Sequence, residues 1–419
     1  MKRFIKGDRI IWFVVILLWL TSLTAVFSSG SFLVRGDSSG LSKTDVLFEQ
    51  LRSVAMGCAA LLFCYFINLG IYRKLAPIIF GISFSMLLML FIPNLRAEVN
   101  GAVRGLKIGG HTIQVFEFVK VGLVLYLSWA IEFFKDRLHS FKDYFLKLLV
   151  WVLMVCGLVM INSFSSAVLL AIVSFMIMFF MEIRSRHLLI TFGGGALLIA
   201  LLFGLYHLFL GFNSEKTNDI AIFNRLATVE NRIISFTNIS ADSVLDLSTM
   251  TPRQLERLDQ ENRQSENAKI AIAEGGIIGK GPGRSTQRFT LSMAFSDMIF
   301  AIIVEEYGLV GGIVVIALYL IFLFRCISIA RKCKAKFSQA LVLGLAFLIT
   351  TQAFLHILVN VRLIPITGHT LPLISHGGTA YFVLSAAFGM ILSVSRTVDR
   401  QIEAEKIDEK IDENEQDNN

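Results

Sequence analysis

Three groups of polar residues in this chain could do chemistry. Asp297 stands in Phe295-Ser296-Asp297-Met298-Ile299-Phe300 at the start of a long apolar run, with Glu305-Glu306 about two helical turns further on. Glu117 and Lys120 lie three residues apart inside another apolar run. Gly279-Lys280-Gly281-Pro282-Gly283-Arg284-Ser285, followed by Arg288, makes a glycine-rich cationic stretch shortly before Asp297. Ionisable groups in apolar runs are costly and read as functional candidates. Two structural alternatives compete: Asp297 as a charge at a helix N-terminus, favoured by the macrodipole, and Glu117 with Lys120 as a pair on one helical face. Clustered glycines can aim N–H groups at an anion, but a nucleotide loop needs Ser or Thr after Gly-Lys, and Gly281 follows Lys280. What survives is a cationic turn suited to an anionic headgroup at a membrane surface. His356, His369 and His376 lack the H-x-x-x-H spacing of a helix-borne zinc pair. Ser165 and Ser375 have no evident histidine and acid partners to make them nucleophiles.

The elements that must position these groups are membrane spans. Of 419 residues, 55% are hydrophobic and 17% charged, against about 25% charged in soluble domains, which excludes an ordinary soluble enzyme. Apolar runs of about 18 residues or more, enough to cross a hydrocarbon core of about 30 Å, recur throughout. Hydropathy predicts an all-α, polytopic bundle of about ten spans, near 10–28, 51–71, 75–93, 113–133, 144–161, 164–182, 188–211, 298–325, 338–361 and 371–395. The first follows Lys2, Arg3, Lys6 and Arg9 without a clear cleavage site and reads as a retained span.

Charge orients the bundle. Residues 399–419 hold nine acidic and three basic residues, so the first 398 carry a net +13 of the chain's overall +7. Basic clusters at Arg73/Lys74, Lys135/Arg137/Lys142/Lys147, Arg184/Arg186 and Arg331/Lys332/Lys334/Lys336 fall on alternate connections, on the side of the N-terminal group. Both termini then face the cytoplasm, and the basic balance marks topology, with no nucleic-acid partner implied. The transmembrane unit is 1–398, with one large extracellular loop at 212–297, and 399–419 reads as an acidic, disordered cytoplasmic tail. Within the loop, Thr251-Pro252-Arg253-Gln254 has the form of a helix start, and Gly275-Gly276 that of its end. The five cysteines show no zinc-like spacing and read as small buried hydrophobes.

Taken together, these islands resemble the SEDS family of bacterial cell-wall synthesis, which includes the FtsW, RodA and SpoVE types. The resemblance rests on Asn100-Gly101-Ala102-Val103-Arg104 with Ile108-Gly109-Gly110, Gln114, Glu117 and Lys120. A second block runs through Gln264, Gly275-Gly276, Gly279-Lys280-Gly281, Ser285, Gln287, Ser296-Asp297 and Glu305-Glu306-Tyr307-Gly308-Leu309. The third is Pro365, Thr367-Gly368 and Leu371-Pro372-Leu373-Ile374-Ser375-His376-Gly377-Gly378-Thr379. Departures from the family pattern include Gly105 for tryptophan, Val115-Phe116 for Pro-Ser, Met293 and Phe295 for polar residues, His356 for asparagine, Arg362 for glycine and His376 for tyrosine.

The resemblance implies a peptidoglycan glycosyltransferase that polymerises lipid II on the outer face of the cytoplasmic membrane. It implies Asp297 as general base, or as the organiser of a divalent cation such as Mg2+, and names no other cofactor. Arg104, Lys120, Lys280 and Arg288 would bind pyrophosphate or position its neighbours, Glu117 would orient Lys120, and Gln264 and Ser375 would line the substrate site. The implied partners are the growing glycan strand, a class B penicillin-binding protein and other division proteins. The Lys6-Gly7-Asp8 start with Trp12, and His369 to Ser375, look more like the division branch than the elongation branch. A lipid II flippase using the same anionic-headgroup contacts, and a noncatalytic division scaffold, are the competing readings.

Overall fold

A computed structural model describes residues 6–30, 43–99, 102–108, 111–136, 138, 140–212, 252–291 and 295–417. Among these residues, ten apolar helical segments build the bundle: α1 (Arg9–Ser29), α2 (Lys43–Phe66), α3 (Leu69–Met89), α4 (Val115–Phe133), α5 (Phe141–Asn162), α6 (Phe164–Phe180), α7 (Ser185–Phe212), α9 (Ile299–Lys332), α10 (Lys336–Asn360) and α11 (Gly378–Asp417). An amphipathic helix, α8 (Pro252–Gly275), stands between α7 and α9. Seven of the ten are long and apolar enough on their own to cross a membrane. Of the other three, α4 carries Glu117, Lys120 and Glu132, and α6 has only 17 residues. Segment α5 contains a π-helical turn at Phe145–Leu149.

Four expectations need correction. Residues 371–377 are not helical: Leu371 to Gly377 form a buried turn with Leu373 at φ 59°, and α11 starts only at Gly378. The second span begins earlier than expected, at Lys43. The acidic tail is not without structure, because α11 continues unbroken to Asp417, aided by ion pairs from Lys6 to Glu403 (2.7 Å) and from Lys334 to Glu405. Between α3 and α4, where no strand was expected, lies a three-stranded antiparallel sheet of β1 (Arg96–Val99), β2 (Ala102–Ile108) and β3 (His111–Ile113). Gly105 belongs to this sheet, and a Cβ there would sit 2.2 Å from the Ile113 carbonyl oxygen. The tryptophan usual in the family therefore has no room on this backbone.

The most central helix is α10, buried along nearly its whole length against α4, α6, α9 and α11. Outer helices turn Phe63, Ile78, Ile82, Leu189 and Ile313 outward, as a lipid-facing surface requires. Helices gain little from hydrophobic transfer when their solvent is lipid, so close packing over small residues carries their association. Gly389 of α11 lies so close to α2 that an added Cβ would be 2.3 Å from the Leu61 carbonyl oxygen. Gly57 of α2 makes the reciprocal approach: a Cβ added there would lie 2.6 Å from Ser385 Oγ. At the end of the bundle that carries the N-terminus, Asp8 caps α1 through Ile10 N (2.9 Å) and Ile11 N (3.2 Å). The same carboxylate accepts from Arg325 Nε at 2.9 Å, and the Asp8 N–H donates to Ser395 Oγ at 2.9 Å, so one residue ties α1 to α9 and α11. Glu132 works similarly, pairing with Arg73 at 2.8 Å and accepting from Phe337 N at 2.6 Å at the start of α10.

Gly389→Ala should therefore force α2 and α11 apart and cost about 1–3 kcal/mol, read as a lower melting temperature in detergent. Gly157→Ala, where nothing lies within 4 Å, should leave the melt unchanged. Equal melts for the two variants would contradict the packing described.

Candidate functional site

Helix α9 organises the site by departing from regular geometry twice. The first departure is the turn Phe295–Met298 that precedes it, which holds Asp297 with 8% of its surface exposed. Ser296 Oγ donates to Asp297 Oδ1 at 3.0 Å. The connection between α10 and α11 grips the same turn from the other side: Ser375 Oγ donates to the Ser296 carbonyl at 2.8 Å, and His376 N–H to the Phe295 carbonyl at 2.9 Å. Ser375 Oγ also accepts from Leu371 N at 2.8 Å, so Ser375 braces the Asp297 turn through its backbone. The His376 ring meets Phe295 edge-on at 5.8 Å and shares a 2.8 Å hydrogen bond with Gln50 Oε1, whose Nε2 donates to Ser22 Oγ at 2.7 Å. Burial holds the His376 imidazole below its ordinary pKa, against the pull of Glu49.

The second departure is Gly308, at φ 69° and ψ −171° inside α9. The glycine-rich stretch docks into this break. Lys280 N–H and Gly281 N–H donate to the Glu305 and Glu306 carbonyls at 3.0 and 2.9 Å, and Leu309 N–H donates to the Gly276 carbonyl at 2.9 Å. A Cβ at Gly279 (φ +90°) would lie 2.3 Å from the Glu306 carbonyl oxygen, and one at Gly308 2.2 Å from that of Ile277, so only glycine permits the approach. Both carboxylates are buried, and Glu305 is engaged through both of its oxygens, Glu306 through Oε1. Glu305 accepts from Lys280 Nζ (2.7 Å), Thr286 N (2.8 Å), Thr286 Oγ1 (2.9 Å) and Ser285 Oγ; Glu306 accepts from Ser285 N (3.3 Å) and Ser28 Oγ.

Lys280 also donates to Thr286 Oγ1 (2.8 Å) and to Glu274, which engages all three of its N–H donors. As placed, its ammonium fastens the loop, and contact with a pyrophosphate would mean exchanging one of these partners. Burial lowers the Lys280 pKa, but hydrogen bonds from its ammonium to Glu274 and Glu305 outweigh that effect and leave it raised; the bond from Lys280 holds Glu274 below the carboxylate range. Arg288 reaches back to α1, donating from Nη1 to Ser28 Oγ at 3.4 Å with its guanidinium 4.7 Å over the Phe289 ring. Its buried Nε has no partner.

Glu117 and Lys120 form the buried pair that the one-face alternative describes, at 2.6 Å, and Lys120 donates a further 2.7 Å hydrogen bond to Gln352 Oε1 on α10. Gln352 Nε2 in turn donates to the Thr370 carbonyl at 3.2 Å, and His356 Nδ1 lies 2.8 Å from the His369 carbonyl oxygen. Glu117 Oε2, His356 Nε2 and His369 Nε2 are buried without partners, so this network keeps unused polar capacity inside the bundle. Gln264 lies half-buried on α8, whose Ala268 and Ala271 pack with Leu291, Met298, Ala301 and Ile302. Arg104 falls in β2, and its side chain lies outside the described residues. Thus Asp297, Ser375, Lys280 and Arg288 are gathered along α9 and its flanking turns, while Glu117 and Lys120 occupy a separate network beneath the α10–α11 connection.

Gln50, Gln352 and Asn360 were not anticipated. Their signal was an uncharged carboxamide within or beside an apolar span, costly to bury unless bonded. Among the described residues, no three His, Cys, Asp or Glu side chains gather to hold a metal ion. Asp297 does offer the single carboxylate that Mg2+ needs when substrate phosphates and water complete its shell.

A bundle of apolar helices with its polar exceptions collected this way is a multi-pass membrane protein. The chain belongs to the FtsW/RodA/SpoVE family of cell cycle proteins, which it matches over residues 8–400. It is 27% identical over 395 residues to a probable peptidoglycan glycosyltransferase FtsW of Trichlorobacter lovleyi, with 94% of each chain covered. A protein of the same description from Thioalkalivibrio sulfidiphilus is 29% identical, with 90% of this chain and 88% of the relative covered. Among solved structures, a chain from work on how a peptidoglycan synthase complex coordinates polymerization and crosslinking shares the fold at TM-score 0.67 and 22% identity, covering 94% of this chain and 98% of its own. The rod shape determining protein RodA of Thermus thermophilus does so at TM-score 0.61 and 21% identity, covering 93% and 97%.

Lys280→Met should loosen the docked loop by about 1–3 kcal/mol, because Glu305 keeps its other donors but loses its cation. Faster proteolysis between α8 and α9 reports this. The pH dependence has two limbs. The lowered Glu274 contributes above pH 4.5 and loses that contribution as pH falls through its folded-state pKa. The raised Lys280 contributes below pH 10.5 and loses it as pH rises through its own. Cleavage that stays as slow well below pH 4.5 and well above pH 10.5 as it is between them would contradict the latch.

Proposed function

We propose that this protein is the peptidoglycan glycosyltransferase its site chemistry best fits, polymerising lipid II at the outer face of the cytoplasmic membrane during septal synthesis. One observation carries the reading: a single buried carboxylate, Asp297, is held in a braced turn at the mouth of α9, beside a loop that supplies cationic side chains. Beyond the break at Gly308, residues 309–332 of α9 would rise about 36 Å at 1.5 Å each, enough to cross a core of about 30 Å, so Asp297 and the basic Arg331/Lys332 end belong to opposite membrane surfaces. The basic end faces the cytoplasm by the positive-inside rule, together with both termini, and Asp297 then faces outward.

The reaction is an inverting hexosyl transfer. The 4-hydroxyl of the GlcNAc on the acceptor lipid II attacks the anomeric carbon of the MurNAc at the reducing end of the growing strand. Asp297 takes the hydroxyl proton as the new C–O bond forms, and undecaprenyl pyrophosphate leaves with the bonding pair. Positive charge must meet that leaving group; Arg288, half-buried on the loop that leads to the turn, is one candidate and Arg104 the other. A divalent cation held by Asp297 would add charge neutralisation at the pyrophosphate. Glu117 and Lys120, joined to the α10–α11 connection through Gln352, steady the platform from which Ser375 braces the turn. The prenyl tails stay in lipid while the sugars meet at the surface, which suits a spanning bundle.

A class B penicillin-binding protein, packed on outward-facing spans, is the proposed crosslinking partner. Division assignment rests on the Lys6-Gly7-Asp8 start, where Asp8 ties three helices, and on the His369 to Ser375 segment. A fluorescent fusion confined to the side wall would reverse it to elongation.

A general base contributes about 100- to 10,000-fold to a rate. Purified Asp297→Asn with its partner should therefore form glycan strands from lipid II at least about 100-fold more slowly, with an unchanged melt. Parental activity in that variant would remove Asp297 from the chemistry.

A further inference from the structure

Asn360, the last residue of α10, is fully buried, and its carboxamide does something unusual at the mouth of α9. In an uninterrupted α-helix the Ala301 N–H would donate to the carbonyl four residues earlier, that of Asp297. Here Ala301 N–H donates instead to Asn360 Oδ1 at 3.0 Å, and Asn360 Nδ2 donates to the Asp297 carbonyl at 3.1 Å. The side chain is thus inserted into a single i to i−4 slot, standing in for one peptide group. The remaining Nδ2 proton goes to the His356 carbonyl at 2.8 Å, on the preceding turn of its own helix. Two carbonyls require donors and one N–H requires an acceptor, so the carboxamide has one orientation only. Regular bonding resumes one residue later, where Ile302 N–H meets the Met298 carbonyl at 3.4 Å.

We propose that Asn360 is a positioning residue for Asp297: it wedges open the first turn of α9 and keeps the aspartate out of the helix, its backbone fixed and its carboxylate aimed from the turn. The wedge is anchored on α10, which is buried along nearly its whole length, and so holds its place through the bundle core. Ser375 and His376 bind the carbonyls of Ser296 and Phe295, which leaves Asp297 as the residue whose backbone only Asn360 reaches among these three. The role differs from stability alone. Without the carboxamide, Ala301 N–H and the Asp297 carbonyl can satisfy each other directly, so the helix would wind back by about one turn and stay folded while the carboxylate moves.

The proposal rests on the glycosyltransferase reading for its kinetic consequence, and the test separates the two. Parental protein, Asn360→Ala, Asn360→Ser and Asp297→Asn are purified with the partner, assayed on lipid II, and their melts compared. The expected result is kcat reduced by about 100-fold in Asn360→Ala, the scale of a misplacement of about 1 Å, with KM changed less than about twofold. Asn360→Ser, too short to span both groups, should behave likewise. Parental kcat in folded Asn360→Ala, a loss confined to KM, or unfolding of both variants would overturn it. A second readout does not depend on activity: a structure of Asn360→Ala should show Ala301 N–H bonded directly to the Asp297 carbonyl, and an unchanged turn there would overturn the proposal by itself. Failure of parental protein to polymerise lipid II would instead refute the enzymatic reading, with the structural readout still deciding the wedge.

Discussion

A backbone N–H or C=O left unpaired within a bilayer costs several kcal/mol, and the rest of this structure depends on how α9 meets that constraint. The helix is opened at its mouth and again at Gly308, and each opening is filled by another part of the chain. At the mouth the filling comes from Asn360, Ser375 and His376. At Gly308 it comes from the backbone of Gly276, Ile277, Lys280 and Gly281. Both repairs bring functional groups with them. The first presents Asp297 in a braced turn, and the second seats the cationic loop against two buried carboxylates.

This arrangement explains why the polar exceptions in an oily chain are where they are. Glu305 and Glu306 read as functional candidates, yet both oxygens of Glu305 are taken by Ser285, Thr286 and Lys280, and Oε1 of Glu306 by Ser285 and Ser28. They hold the outer loop to α9, and through α9 to the Asp297 turn. The Glu117–Lys120–Gln352 chain does a similar service one layer down, linking α4 to the α10–α11 connection that carries Ser375. Asp297 is left as the acid whose surroundings brace its backbone, with 8% of the residue's surface exposed.

Much of this was legible in residue order. Ten apolar runs became ten helical segments because run length against membrane thickness is a strong constraint, and Pro252 and Gly275 bounded α8 as their backbone preferences dictate. The small sheet was not legible: its strands are 4, 7 and 3 residues long, too short for alternation to register. Leu371 to Ser375 read as membrane helix because hydropathy counts Leu and Ile without seeing that Pro372 and the positive φ of Leu373 turn the chain. The tail read as disordered from its charge, whereas alternating Glu and Lys on a helix already started in the membrane can extend it. Asn360 was invisible for a different reason: a lone carboxamide signals nothing until the slot it enters is seen.

The proposed chemistry occurs at the outer mouth of α9, on lipid II already present there. Its most direct test places the purified protein, oriented in proteoliposomes with its transpeptidase partner, in contact with fluorescent lipid II supplied to the outer leaflet alone. Glycan strands should form at that leaflet without any label crossing the membrane. Label that crosses without strand formation would contradict the claim and mark the protein as a carrier.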